Sequence, residues 1–522
     1  MSYSDLSVWA FLMILAVLLF SLLIGNVLRK YVPFLKKTLI PASVLGGLIL
    51  LIISTITYYC AGEYLFNFDV FGGSGGDGAF SGMDILELIT YHCLGIGFVA
   101  SGMRTSKKKF DKKRAGEVFD SGLTTVNGYL VQAFFGLAVT LIAAYLVHTK
   151  GLISASGILL AFGFGQGTGQ AMNFGNTFEG YGLEDGRNFG LTIAALGFLV
   201  ACIVGVIYIN VMRRKGKIKI EQKERANSLA DYEDANEISI VSSIDKFTVQ
   251  VAIVLAVYAA SFGIMYGLSK LIPSLATTLF GFNFFIGVLL TLPVKAVLNK
   301  LHEKKKIEKQ IVNNFMMDRI GGFAFDLMIV AGVAAIKIPL LASHWGVLLI
   351  LAVVGALVTL FYVNFVCKRR FPEYRHEQFL AFFGMLTGTA STGMILLREI
   401  DGSYRTPASE NLVFQNVPAM VFGFPLMFIA NFAPQSDLNA LISCIIVGVA
   451  FVVLNIVLFR SKIFKKRKPV AVADTQNSDG AQAGEGEPNV SADEAPTADG
   501  GATDSAEVNI PAAIEENAEA GK

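Results

Sequence analysis

Read as a string of apolar and polar positions, the chain breaks into thirteen apolar segments, at residues 8–28, 39–61, 84–103, 123–147, 153–178, 187–211, 246–270, 275–298, 319–341, 343–367, 376–398, 411–433 and 437–460. Most run about 20 residues, and an α-helix of that length crosses a hydrocarbon core of about 30 Å. The pattern predicts an all-α polytopic membrane protein. The first segment follows only Met-Ser-Tyr-Ser-Asp and has neither a basic leader nor a small-residue cleavage site, so it is expected to be a permanent span rather than a signal peptide.

Composition supports the reading. Hydrophobic residues make up 53% of the 522 and charged residues 16%, with a mean hydropathy of +0.57, which is more apolar surface than a soluble domain of this size can bury. The net charge of +2 hides an asymmetry. Twelve acidic residues and one lysine lie between Pro469 and Lys522, so the rest of the chain carries +13. The segment 469–522 is Ala/Gly/Asp/Glu-rich, lacks aromatics and is expected to be a disordered acidic tail.

Basic residues beside spans mark the cytoplasmic side. They gather at 29–37, 104–114 (seven Lys/Arg), 213–225, 300–319, 368–375 and 460–468, whereas 62–84 carries Glu63, Asp69, Asp77 and Asp84 without a base. Threading the chain through these constraints from an outside N-terminus meets two conflicts. If the segment 153–178 crossed, Arg213-Arg214-Lys215 would fall outside. Between Lys368-Arg369-Arg370 and the terminal cluster 460–468, both inside, lie three segments, an odd number. Both conflicts disappear if 153–178 dips in from outside and 376–398 dips in from the cytoplasm, each returning to its own side. That leaves about eleven transmembrane helices plus two re-entrant hairpins, with the C-terminus cytoplasmic.

The hairpins resemble each other. Gly163-x-x-x-Gly167-Thr168 aligns with Gly384-x-x-x-Gly388-Thr389, each just after Leu-Ala-Phe. Around them two inverted-topology repeats emerge, 39–212 and 275–433. An N-terminal helix and basic loop (1–38), a linker and connecting helix (213–274) and a C-terminal helix (434–468) complete the order. Inverted repeats with broken elements meeting at the midplane are a secondary-transporter architecture.

A glycine-rich stretch such as AFGFGQGTGQAMNFGN (161–176) is tolerated at membrane depth where it packs in protein or faces a watery cavity. Glycine permits positive φ, and free N–H and C=O groups at half-helix ends hold anions and small cations. The backbone at Gly167 and Gly388 is therefore expected at a binding site, with neutral polar contacts from Gln166, Thr168, Gln170 and Asn173 on one side and Thr387, Thr389, Ser391 and Thr392 on the other. The bland alternative is close helix packing by small residues. Asp326, seven residues past Arg319, is an intramembrane carboxylate suited to an ion, a substrate ammonium or a structural partner. Thr168, Thr389 and Asp326 are the candidate sodium ligands, and Gln132 is a further polar candidate.

Five scattered cysteines and five histidines show no ligand spacing and read as buried hydrophobes and isolated polar groups. No P-loop lysine, dinucleotide fingerprint or nucleotide-binding domain is present, so the chain is expected to be no enzyme or ATP-driven pump and to use no cofactor. No lysine or arginine sits near the middle of a predicted span. A channel, or a proton-coupled carrier of another organic anion, is the competing class.

The chain resembles the sodium/glutamate symporter family, related in fold to bacterial citrate–sodium symporters, over roughly residues 20–435. The likeness rests on Phe34-Leu35-Lys36-Lys37, Ile40-Pro41 and Gly46-Gly47 before and in the second segment, Gln132 in the fourth, Gly167-Thr168-Gly169, and the second hairpin 384–392. It implies two pseudo-symmetric domains, sodium as coupling ion, a glutamate-like anionic substrate, a homo-oligomer such as a dimer, and a multi-pass cell-membrane protein with no nucleic-acid partner. Two places depart from the family pattern. Phe164 and Gln166 stand where a Gly and a His are usual, and Thr389-Ala390-Ser391 where Ala-Thr-Pro is usual.

Overall fold

In the computed structural model the apolar segments are helices, and no strand occurs among the described residues, which are 5–75, 80–104, 112–147, 149–218, 245–273, 276–304, 311–341, 344–401 and 406–460. The acidic tail, most of the basic loop 104–114, the linker 219–244, Asp77, His148 and the basic cluster after Arg460 lie outside them.

In chain order the helices are α1 (Leu6–Tyr31), α2 (Pro33–Thr38), α3 (Ala42–Ala61), α4 (Gly82–Met103), α5 (Lys112–Ile142), α6 (Leu159–Gln166), α7 (Thr168–Glu179), α8 (Gly186–Arg214) and α9 (Lys246–Leu271). There follow α10 (Ala276–Gly281), α11 (Asn283–Glu303), α12 (Asn314–Ala334), α13 (Trp345–Arg370), α14 (Arg375–Leu386), α15 (Ala390–Arg398), α16 (Ala408–Phe414), α17 (Asn416–Phe432) and α18 (Asp437–Leu458). Local chemistry sets several boundaries. Ser81 and Asp84 form a reciprocal capping box at the start of α4, Asn313 caps α12, and Gly62 ends α3 in the left-handed region.

Among the described residues nine helices are long and apolar enough to span a bilayer: α1, α3, α4, α5, α8, α9, α11, α13 and α18. A tenth follows if α16 and α17, bent by 50° where they join, form one span. α12 matches them in length at 21 residues but carries Asp318, Arg319 and Asp326. Large apolar side chains such as Phe20, Ile52, Phe262, Phe361 and Val449 stand exposed on α1, α3, α9, α13 and α18, as lipid-facing surfaces require. Four of the five cysteines are buried as expected of small hydrophobes. Cys60, at the last turn of α3, is exposed instead, because the helix ends one residue later.

Helix packing sorts the bundle into two sets. α1, α3, α4, α9, α11 and α12 pack chiefly on one another, and so do α5 to α8 with α13 to α18. Contact between the sets falls mainly on α7, which lies against α4, α10 and α12. Within the second set, distant chain ends converge. Buried Asp120, near the start of α5, accepts hydrogen bonds from Arg370 at the end of α13 and from Arg460 just past α18, the latter at 2.9 Å. The charge pattern had placed Arg370 and Arg460 on one side of the membrane, with the basic loop 104–114 that precedes Asp120. Beyond the other end of α5, the Glu184 N–H donates to the Gly151 carbonyl at 3.0 Å.

Candidate functional site

The segment 153–178 folds back on itself. α6 runs antiparallel to α5, with Gly157 against Gly136 near one end and Gly165 against Tyr129 and Gln132 near the other. α7 then returns antiparallel to α8, with Ala171 beside Gly190 and Gly175 beside Gly186. The Glu184–Gly151 bond closes the two ends, and Phe162 stacks on Phe174 between the arms at 4.1 Å. This is a hairpin, and its glycines do two jobs. A methyl group on Gly163 would lie 2.6 Å from Ile193 Cγ2, on Gly165 2.5 Å from Tyr129 Cδ1 and on Gly169 2.8 Å from Leu94 Cδ1. Those glycines, like Gly175 against Gly186, serve close packing. Only Gly167 breaks the helix, at φ +87°, a conformation that L side chains rarely adopt.

α14 and α15 form the second hairpin. Gly384 and Gly393 let their arms touch, a methyl on Gly384 falling 2.8 Å from Gly393 Cα. The break here, Thr387-Gly388-Thr389, needs no positive φ. Thr389 is extended at φ −142° and its hydroxyl caps α15 by accepting from the Thr392 N–H at 3.4 Å.

The two tips meet. A methyl at Gly167 would stand 3.3 Å from Thr389 Cγ2 and 3.8 Å from the Gly388 oxygen. α8 passes both tips at Gly197, beside Phe164 and the Thr387 carbonyl, and α12 reaches Thr168 at Gly332. From α5, buried Gln132 donates to the Leu386 carbonyl at 2.7 Å and to Thr359 Oγ1 at 2.8 Å, bridging the second tip to α13. Its Oε1 faces Gly165 of the first hairpin without a hydrogen-bond donor. Thr168 Oγ1 and both amide atoms of Gln170 are likewise fully buried and unpartnered. Leaving such groups dry costs about 1–3 kcal/mol each, so this cluster beside two opened helix ends is costly unless polar groups or water reach it.

The remaining candidates separate from this cluster. Thr387 is buried but its hydroxyl donates to the Phe383 carbonyl, and Thr392 lies 3.4 Å from Thr389 Oγ1. Gln166 is half-buried at the end of α6, and Ser391 is exposed. Asn173 donates to the Gly281 carbonyl at 2.6 Å. Asp326 lies on α12 beside Ser43 at the start of α3, away from the tips.

Pattern reading also missed a group. A cavity of about 510 Å³ opens beside α7 toward the Gly151 end, walled by Asp84, Glu87, Tyr91, Asn173, Asn176 and Arg187. Arg187 Nη1 donates to Glu87 at 2.6 Å, and its Nε and backbone N–H both donate to Glu179 at 3.0 Å. The available signal was an arginine opening a span on the side where bases are scarce.

The helices and their meeting tips define a multi-pass α-helical membrane protein with a polar site buried where two broken elements touch. The chain belongs to the sodium/glutamate symporter family, whose model matches residues 7–374. That is a family of transporters and not of enzymes, with sodium as its coupling ion. The match includes the first hairpin and stops immediately before the second. Comparison with curated proteins found no match.

Proposed function

We propose that this protein imports glutamate, or a closely related anionic amino acid, together with sodium by alternating access. In this reading residues 39–212 and 275–433 are inverted repeats, the Gly151 end faces outside and the Asp120 end faces the cytoplasm. The observation that carries it is the meeting of Gly167 with Thr389, beside the buried unpartnered Thr168 and Gln170, in a member of a symporter family. Half-helix N–H groups and amides would hold the substrate's charge, while hydroxyl and carbonyl oxygens would hold sodium. The convergence of Arg370 and Arg460 on Asp120 supports the orientation, since basic span ends belong on the cytoplasmic side.

Reconstitution into proteoliposomes tests the reading. Labelled glutamate should accumulate under an inward sodium gradient, and not when the gradient is replaced by a proton gradient. Accumulation driven by protons would favour the proton-coupled alternative. Sodium-independent downhill flux that saturates only weakly would point to a channel.

A further inference from the structure

The cavity at the Gly151 end holds a feature that a passive vestibule would not need. Arg187, at the start of α8, is gripped unequally by two carboxylates. Glu179 takes both its Nε and its backbone N–H and belongs to the same set of helices. Glu87 belongs to α4, in the other set, and takes a single bond from Nη1. Arg187 Nη2 makes no hydrogen bond to the described residues, so the Nη1–Nη2 edge is half-engaged, and the residue lines the cavity. A guanidinium edge binds a carboxylate best through two parallel N–H bonds. An incoming carboxylate would gain that geometry by displacing Glu87, which holds Arg187 through one bond where Glu179 takes both Nε and the backbone N–H. The released Glu87 carboxylate would then stand beside the newcomer, where an ammonium on the neighbouring carbon would meet it.

We infer that Arg187 and Glu87 form an outer capture site for the headgroup of an α-amino acid, and that capture opens the Arg187–Glu87 link between the two sets of helices. This rests on the transport reading above and deepens it. Arg187 binds the α-carboxylate, and Glu87 exchanges from Arg187 to the α-ammonium. Asn173 and Asn176, on the arm of the first hairpin that ends at Thr168, line the same cavity and lead inward. Two further links at this end, Asn188 bonded both ways to the Lys337 backbone at 2.8–2.9 Å and Asn173 to the Gly281 carbonyl, remain as the resting closure.

The test combines a transport-independent readout with flux. In a Cys60→Ser background, Asn176→Cys gives an exposed thiol on the cavity wall whose alkylation rate reports occupancy. L-Glutamate should slow alkylation, whereas glutarate, which lacks the ammonium, should protect only at concentrations at least about tenfold higher. Arg187→Gln should abolish protection, and Arg187→Lys, which keeps charge and loses the fork, should weaken it about tenfold. Glu87→Gln should protect at lower carboxylate concentration, because the competitor for Arg187 is gone, while erasing the preference for glutamate over glutarate. If Arg187→Lys and Glu87→Gln, both monodisperse after purification, protect and transport like the parent, the capture site is wrong although the transport reading stands. If the parent moves no glutamate under a sodium gradient, the transport reading itself fails.

Discussion

The two hairpins share a sequence plan but differ in how their tips and bases are held. In the first, α6 and α7 are buried almost throughout and the break is a single glycine at φ +87°. In the second, the break is three residues of ordinary backbone, and Ala390 and Ser391 at the start of α15 are exposed. The bases differ too. Around the first, Arg187, Asn173 and Asn188 reach α4, Gly281 and Lys337, across to the other set of helices. The base of the second is tied within its own set, where Tyr374 donates to Glu117 at 3.0 Å and Asn411 donates to Tyr374 and Gln378. One hairpin is enclosed and cross-linked. The other is open at its tip and anchored at home, so equivalent substitutions should not have equivalent effects.

The largest asymmetry is expected at the glycines. Gly167→Val forces a β-branched residue into positive φ and pushes on Thr389, so sodium-driven uptake should fall about a hundredfold or more at unchanged membrane insertion. Gly388→Ala meets Thr392 Oγ1 at 2.9 Å, a side-chain atom, as its nearest neighbour, with Gly384 O and the Phe198 ring edge at 3.1 Å, in ordinary backbone. It should retain measurable uptake. Equal losses at both positions would erase the distinction.

The threonines sharpen the comparison. Thr168 Oγ1 is buried without a partner, so Thr168→Val should weaken ligand binding by about 10- to 150-fold, the value of a lost hydrogen bond to a charged group. It should also stabilise the ligand-free protein, because an unsatisfied hydroxyl is replaced by a methyl. Thr389→Val instead removes a helix cap and should destabilise by about 1 kcal/mol with a smaller loss of affinity. Thermal melts with and without sodium and glutamate separate the two, and the same sign of stability change for both variants would refute the assignment.

At the base of the second hairpin's set, Asp120→Asn removes the negative charge that Arg370 and Arg460 share. Because Asp120 is buried, a loss of about 3 kcal/mol in stability is expected, with little change in half-saturation for substrate in the folded fraction. A large shift in half-saturation would mean that this cluster acts on the site rather than on folding.

Much of this was legible in the sequence, and the reason is specific. In a membrane chain the apolar length, the basic span ends and the parity of crossings leave little freedom, and the segments they single out, 153–178 and 376–398, end within a residue of α7 and α15, although the first starts six residues before α6. The repeated Gly-x-x-x-Gly-Thr marks the two stretches whose Gly167 and Thr389 stand next to each other. Individual roles were harder to read. Gly163, Gly165, Gly169 and Gly175 look like Gly167 in sequence but serve packing, which depends on what Ile193, Tyr129, Leu94 and Gly186 do elsewhere. Thr168 and Thr389 align, yet one hydroxyl is free and the other caps a helix. The Arg187–Glu87 pair joins positions a hundred residues apart, and no periodicity encodes it.

The smallest effect is expected at Asp326. On α12 it lies six residues before Gly332, the point of contact with Thr168, which is about 9 Å along the axis at 1.5 Å per residue. Six steps of 100° also turn it well away from Gly332, so its carboxyl lies by Ser43 at the start of α3 and not at the tips. An intramembrane carboxylate is a functional candidate by default because of what it costs to keep there. Here, however, the carboxyl lies beside Ser43 of α3, and both hairpins form their contact without it. Asp326→Asn should therefore leave the half-saturation for sodium within about threefold of the parent, measured as the sodium dependence of uptake at fixed glutamate, while Thr168→Val moves it much further. A sodium half-saturation that rises tenfold or more in Asp326→Asn, with Thr168→Val unaffected, would move the cation site out of the meeting tips to the α3–α12 contact.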